Sequence, residues 1–176
     1  MIECFLLVLT TRVKLSARRY ASGDKCGGPF GYHNAMQFVA EAEARFTEKG
    51  YLDVALWPAG IPESYPAACG CGYEFMDADV RQLFQELLYR RSNGEEMTLR
   101  DAPPGAMWDA TWMPRKASDG RYLVLKTPGG DWAIDGPSSN GNGWTRTGEP
   151  PNITANPSIL AGKYHGWLRD GRLVEC

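Results

Sequence analysis

Asp77-Ala78-Asp79-Val80-Arg81-Gln82-Leu83-Phe84-Gln85-Glu86-Leu87-Leu88-Tyr89-Arg90-Arg91-Ser92-Asn93-Gly94 is where the fold class turns. Val80, Leu83, Phe84, Leu87 and Leu88 recur at the three- and four-residue spacing of one helical face. Asp77 stands where an N-cap would, and Asn93-Gly94 supplies a stop. The spacing predicts a helix. Upstream, Met36, Val39, Ala40 and Phe46 repeat the pattern between Asn34 and Lys49, with Asn34 as cap and Gly50 as terminator, which predicts a second.

Outward from these two segments the reading changes to strands. Ile2 to Lys14 is rich in Leu and Val with Thr10, Thr11 and Val13, which suits a strand buried on both faces, after which the chain turns polar and loops. After Asp101-Ala102-Pro103-Pro104-Gly105 come short apolar runs at Tyr122-Leu123-Val124-Leu125-Lys126, Asp131-Trp132-Ala133-Ile134 and Tyr164-His165-Gly166-Trp167-Leu168, expected to form one antiparallel sheet. Asp170-Gly171 is a hairpin signal, and 127-TPGGDW-132 reads as a hairpin turn because it lacks the Lys-Ser/Thr ending of a phosphate loop. The expected fold is α+β: an antiparallel sheet with about two helices. It is expected as a single domain over 1–176, with a strand/helix part at 1–105 that carries a metal knuckle and an antiparallel β part at 106–176.

A length of 176 residues fits one domain with a real core. The net charge of −2, from 19 basic and 21 acidic residues, argues against a phosphate backbone as the main partner. The apolar run inside MIECFLLVLTTRVK is too short for a signal peptide and follows Glu3, so it is expected to be a buried strand. No stretch approaches the roughly 20 apolar residues of a membrane helix. Five cysteines without a secretion signal suggest a reducing compartment, where thiols bind metal or stay free.

Two pairs of ligand residues stand out. Cys26 and His33 are separated by a Gly/Pro-rich stretch, and Cys69-Gly70-Cys71 is followed by Gly72-Tyr73, the sequence habit of a metal knuckle. Structural zinc takes four such ligands in a tetrahedron, usually as two short pairs. The single residue between Cys69 and Cys71 is shorter than the usual two. His165 or Cys176 are alternative ligands in place of Cys26 or His33, and ordinary buried thiols are the competing explanation. A set of three cysteines and one histidine is closed, which favours a structural zinc over a catalytic one.

The remaining candidates are weaker. His165 has no Ser or Cys placed beside it by a catalytic motif. Asp101, Asp109, Asp131 and Asp135 are more simply turn and capping residues than paired catalytic carboxylates. Most of the six tryptophans are expected to fill the core. Trp144, within the polar stretch Gly136–Pro151, is the exception, and with Arg146 it is a candidate partner-binding anchor.

Several motifs together point to an origin. Arg18-Arg19-Tyr20, Gly31-Tyr32-His33, Cys71-Gly72-Tyr73, Leu88-Tyr89-Arg90-Arg91, Asp101-Ala102-Pro103-Pro104-Gly105-Ala106-Met107-Trp108, Pro151-Asn152-Ile153-Thr154 and Tyr164-His165-Gly166-Trp167-Leu168 resemble a widespread family of uncharacterised small proteins of tailed bacteriophages. The resemblance implies a two-residue gap in the knuckle and further cysteines in the segment corresponding to Pro137–Ala161; this chain has Asn140-Gly141-Asn142-Gly143 there instead. It implies origin without a mechanism. The expectation is a non-enzymatic virion or assembly component, acting on other phage structural proteins or on copies of itself, made in the host cytoplasm and carried into the virion. The alternatives are an early factor that binds a host protein, or a metal-dependent hydrolase.

Overall fold

The computed structural model describes residues 1–22, 26, 31–137 and 143–176. Its strands, in chain order, are β1 (Ile2–Glu3), β2 (Phe5–Ser22), β3 (Tyr32–Glu43), β4 (Val80–Arg91), β5 (Glu96–Met97), β6 (Ala106–Asp109), β7 (Leu123–Thr127), β8 (Gly130–Ala133), β9 (Thr145–Thr147), β10 (Thr154–Ala161), β11 (Tyr164–Arg169) and β12 (Arg172–Glu175). None of the described residues is helical. The expectation of an α+β fold with two helices is therefore overturned: the protein is all-β.

Both departures have a physical cause. In β3 the side chains alternate strictly at first, with His33, Ala35 and Gln37 turned inward and Tyr32, Asn34, Met36 and Phe38 outward. Its apolar residues thus lie on both faces, and their helix-like spacing is incidental. Eleven register pairs with β2, from Arg12 opposite Glu43 to Ser22 opposite Tyr32, give β3 the pairing that local propensity did not announce. Gly50, read as a helix stop, closes a turn in which the Thr47 amide donates to the Tyr51 carbonyl (2.8 Å).

In β4, Leu83 to Leu87 are all half-buried, so the strand is covered on both faces, and its apolar residues run in two pairs, Leu83-Phe84 and Leu87-Leu88, on either side of Gln85-Glu86. Such a pattern cannot be told from a buried helix by spacing alone. Asn93-Gly94 is a hairpin turn into β5: the Arg91 amide donates to the Glu95 carbonyl (2.8 Å) and Gly94 sits at φ 90°. The expected N-cap Asp77 is exposed. Asp79 instead closes the turn, its Oδ2 accepting the Met76 amide at 2.7 Å.

The described residues cluster into two compact units, Met1–Leu9 with Tyr89–Cys176 (unit 1) and Thr10–Leu88 (unit 2). In unit 1 the strands expected to share one antiparallel sheet belong to two. One sheet has the order β1-β12-β11-β10-β9, antiparallel throughout. In the other, β6, β7 and β8 pair antiparallel, while Phe5–Leu7 of β2 run parallel to β6. Side-chain parity gives each of these sheets its buried face. Leu123 and Leu125 of β7 and Tyr164 and Leu168 of β11 are buried on alternate positions. Each sheet thus has one apolar face, and the two faces meet in one core that also includes Met107, Trp132, Ile134, Ile153, Ile159 and Leu173.

The turns of unit 1 match their chemistry. Asp170 (φ 45°) and Gly171 (φ 69°) link β11 and β12 with both central residues left-handed. The 127–130 turn joins β7 to β8. At Gly105 a Cβ would come within 2.5 Å of the Glu3 carbonyl oxygen, so only glycine lets the segment before β6 approach the first strand.

Candidate metal centre

Unit 2 is organised around the hairpin of β2 and β3. Its inward-facing residues include Ala17, Arg19 and Ala21 on β2, with His33 opposite Ala21. A second, shorter hairpin supplies the knuckle. The Phe75 amide donates to Ala67 (2.9 Å) and the Cys69 amide to Tyr73 (2.8 Å), and Gly72, at φ 92°, turns the chain between them. This tight turn is why Cys69 and Cys71 can both serve one centre across a single intervening residue.

The ligand atoms of Cys26, His33, Cys69 and Cys71 all lie within 4.8 Å of one another. Cys26 Sγ is 3.8 Å from Cys69 Sγ, and His33 Nδ1 is 3.2 Å from Cys71 Sγ. A tetrahedral ion with metal–sulfur bonds of about 2.3 Å has sulfur–sulfur edges of about 3.8 Å, whereas a disulfide needs about 2.05 Å. The arrangement can hold a metal ion. The Cys69 thiol is lowered from its usual 9 to about 6, first by backbone hydrogen bonding at Cys71, then at Asn34, with the Cys71 and Cys26 thiols adding to it. A thiol ionised at neutral pH is the form that binds metal.

Further residues, Tyr73 of the knuckle motif among them, complete the surroundings. Tyr73 stacks on the His33 ring with centroids 4.0 Å apart and planes 9° from parallel. Phe75 meets Tyr73 edge-on, and the Arg19 guanidinium lies 5.3 Å from the Phe75 ring centre. Arg19 also donates to the Met76 carbonyl, which ties down the segment leaving the knuckle. The Tyr73 hydroxyl donates to Asp79 (3.2 Å), and burial together with that carboxylate raises its pKa. An aromatic directly after Cys71-Gly72 was the available signal for Tyr73. Nothing local marks Arg19, whose part depends on pairing across the unit, whereas Asp79 acts on Tyr73 and Met76 close by in the chain.

Compared with protein families, with curated proteins and with solved structures, the chain finds no match.

His165 and Cys176 belong to unit 1 and to no ligand cluster among the described residues. His165 is exposed, with Nε2 3.4 Å from Ser158 Oγ. Trp144 packs edge-on against Trp132 (5.2 Å) and donates its indole N–H to the Ser158 carbonyl (3.4 Å). Arg146 donates to Asp135 and to Asp119, each at 2.7 Å. Both residues thus make internal contacts: one caps the core of unit 1, the other ties β9 to two turns. Of the polar stretch that carries them, residues 138–142 lie outside the described residues, as do most of the turn residues around Cys26, while 145–147 form β9.

The aspartates considered for catalysis have structural partners. Asp109 accepts the Tyr122 amide (2.9 Å) and Asp135 the Leu123 amide (2.8 Å). Asp131 pairs with Lys126 and Asp101 with Arg100. Trp108 and Trp132 are buried in unit 1, but Trp112 is 51% exposed, so the tryptophans divide between core and surface. No helix among the described residues is long and apolar enough to cross a membrane.

Proposed function

We propose that Cys26, His33, Cys69 and Cys71 hold a structural zinc ion, and that the protein is a non-enzymatic phage component in which this metal-stapled unit offers a surface to a protein partner. The four-ligand cluster is the observation that carries the reading. Three thiolates and one imidazole are a soft donor set that suits zinc. Four side-chain ligands fill a tetrahedron and leave no position for a substrate or activated water, which favours a structural role over a hydrolytic one.

The partner half of the reading is supported by the surface of the same unit. Phe38 (57% exposed), Tyr51 (61%), Val54 (67%) and Leu56 (49%) are large apolar side chains in water. Gln85 holds the segment of the last two in place by donating to the Leu56 carbonyl at 2.9 Å. Exposed apolar groups held on an ordered scaffold are what protein interfaces use. The resemblance to small tailed-phage proteins supports the virion or assembly setting.

The test has two parts. A native mass spectrum of protein purified without chelator is expected to show one zinc per chain, and Cys71→Ser to lose it; a metal-free wild-type chain overturns the zinc reading. In a density gradient of an infected lysate the protein is expected to sediment with particles. Recovery only in the soluble fraction, bound to a host protein, would favour the early-factor alternative.

A further inference from the structure

The geometry points to a second use of the cluster: Cys26 and Cys69 form a peroxide-sensitive thiol pair, whose oxidation to a disulfide ejects the metal. The release of metal rests on the zinc reading above, whereas the sulfur pairing does not. The two sulfurs are 3.8 Å apart, so joining them needs a closure of less than about 2 Å. They also differ in access. Cys26 is half-buried, Cys69 is buried and Cys71 is exposed. An oxidant thus reaches the outer sulfurs first, and the inner one is placed to resolve.

In the chemical step the Cys26 thiolate attacks one oxygen of a peroxide such as hydrogen peroxide. The O–O bond breaks, an S–O bond forms, and the departing hydroxide is protonated to water. The Cys69 thiolate then attacks the Cys26 sulfur, the S–S bond forms, the S–O bond breaks, and a second hydroxide leaves as water. Two thiolates, one hydrogen peroxide and two protons become one disulfide and two waters, and the two electrons lost by sulfur reduce the peroxide. If oxidation begins at Cys71, attack by Cys26 and then by Cys69 passes it to the same pair and returns Cys71 as a thiol. Two of the four ligands are then lost. His33 and Cys71 alone are too few for a tight structural site, and the ion leaves as a divalent cation.

The experiment uses the full chain with Cys176→Ser, to remove the exposed terminal thiol, purified without chelator. Metal content is measured first, then one to ten equivalents of hydrogen peroxide are added, with released metal read by a chromogenic chelator and cysteine pairing by non-reducing peptide mapping. The expected result is a loss of two hydrogens per chain, a peptide linking Cys26 to Cys69, release of the bound ion in step with that link, and recovery on adding dithiothreitol and zinc. Cys26 and Cys69 remaining as thiols, or oxidation to sulfinic acid without a cross-link, would overturn the inference. A protein with no metal before peroxide would sink the zinc reading alone, because the cross-link still reports on the sulfur pair. Metal retained despite a complete Cys26–Cys69 link would break the switch.

Discussion

Unit 1 and unit 2 reach order by different means. Unit 1 buries Met107, Leu123, Leu125, Ile134, Ile153, Ile159, Leu168 and Leu173 between two sheets, each at 1% exposure or less. In unit 2 the buried hydrophobic residues among those described are Val13, Leu15, Ala17, Ala21, Cys69 and Leu88, several of them small. At roughly 25 cal/mol per Å² of apolar surface, so few side chains offset little of the entropy of ordering a long hairpin and its loops. Among its described residues unit 2 has the Cys/His cluster in compensation. Small units that lack a sufficient core are commonly held by a metal or by disulfides.

The largest effect that would break this contrast is expected from Cys69→Ser. With the proposed zinc in place, losing a ligand would release it and leave a buried hydroxyl, so protease should cut within 10–88 while the remainder survives as a resistant fragment; equal resistance of both units would refute the division. Next comes a core truncation in unit 1. Leu168→Ala should cost about 3 kcal/mol by lost transfer and cavity terms, lowering the melting temperature of unit 1 with metal stoichiometry unchanged by mass spectrometry.

A smaller effect sharpens the picture at the cluster. Tyr73→Leu keeps apolar bulk but removes the stack on His33 and the bond to Asp79, which should weaken metal retention by about 1 kcal/mol, a roughly fivefold change in a chelator competition. The smallest is electrostatic. Hydrogen bonding from Arg146 holds the Asp119 carboxyl below its usual range. The group therefore contributes stability above the ordinary carboxylate pKa and loses it as pH falls through the lowered folded value. Because Asp119 is partly solvated the contribution is modest: Asp119→Asn should slightly lower the neutral-pH melting midpoint of unit 1, with the difference from wild type vanishing as pH falls through the lowered carboxyl pKa.

The sequence made the site more legible than the fold around it. Cys69-Gly70-Cys71-Gly72 and the Cys26/His33 pair carry their chemistry in residue identity, and the four were found together. Turn chemistry was equally local, as at Asp170-Gly171 and 127-TPGGDW-132. What local reading missed was pairing. The apolar residues of Asn34–Lys49 and Asp77–Asn93 fit a helical face by spacing, yet β3 and β4 place them on both sides of a sheet, and only cross-strand partners decide between the two. The same cause put the later strands into one sheet instead of two, since parity shows which side of a strand is buried but not which sheet it faces. Arg19 was missed for a related reason: its partners, the Met76 carbonyl and the Phe75 ring, lie far along the chain.

The most direct test is amide hydrogen exchange with and without a strong chelator, read by peptide. Removing the metal is expected to collapse protection across β3 and the 67–75 knuckle and to leave β7, β10, β11 and β12 as protected as before. Unchanged protection around Cys69 after complete chelation, or an equal loss in both units, would contradict a metal-held unit 2 beside a core-held unit 1.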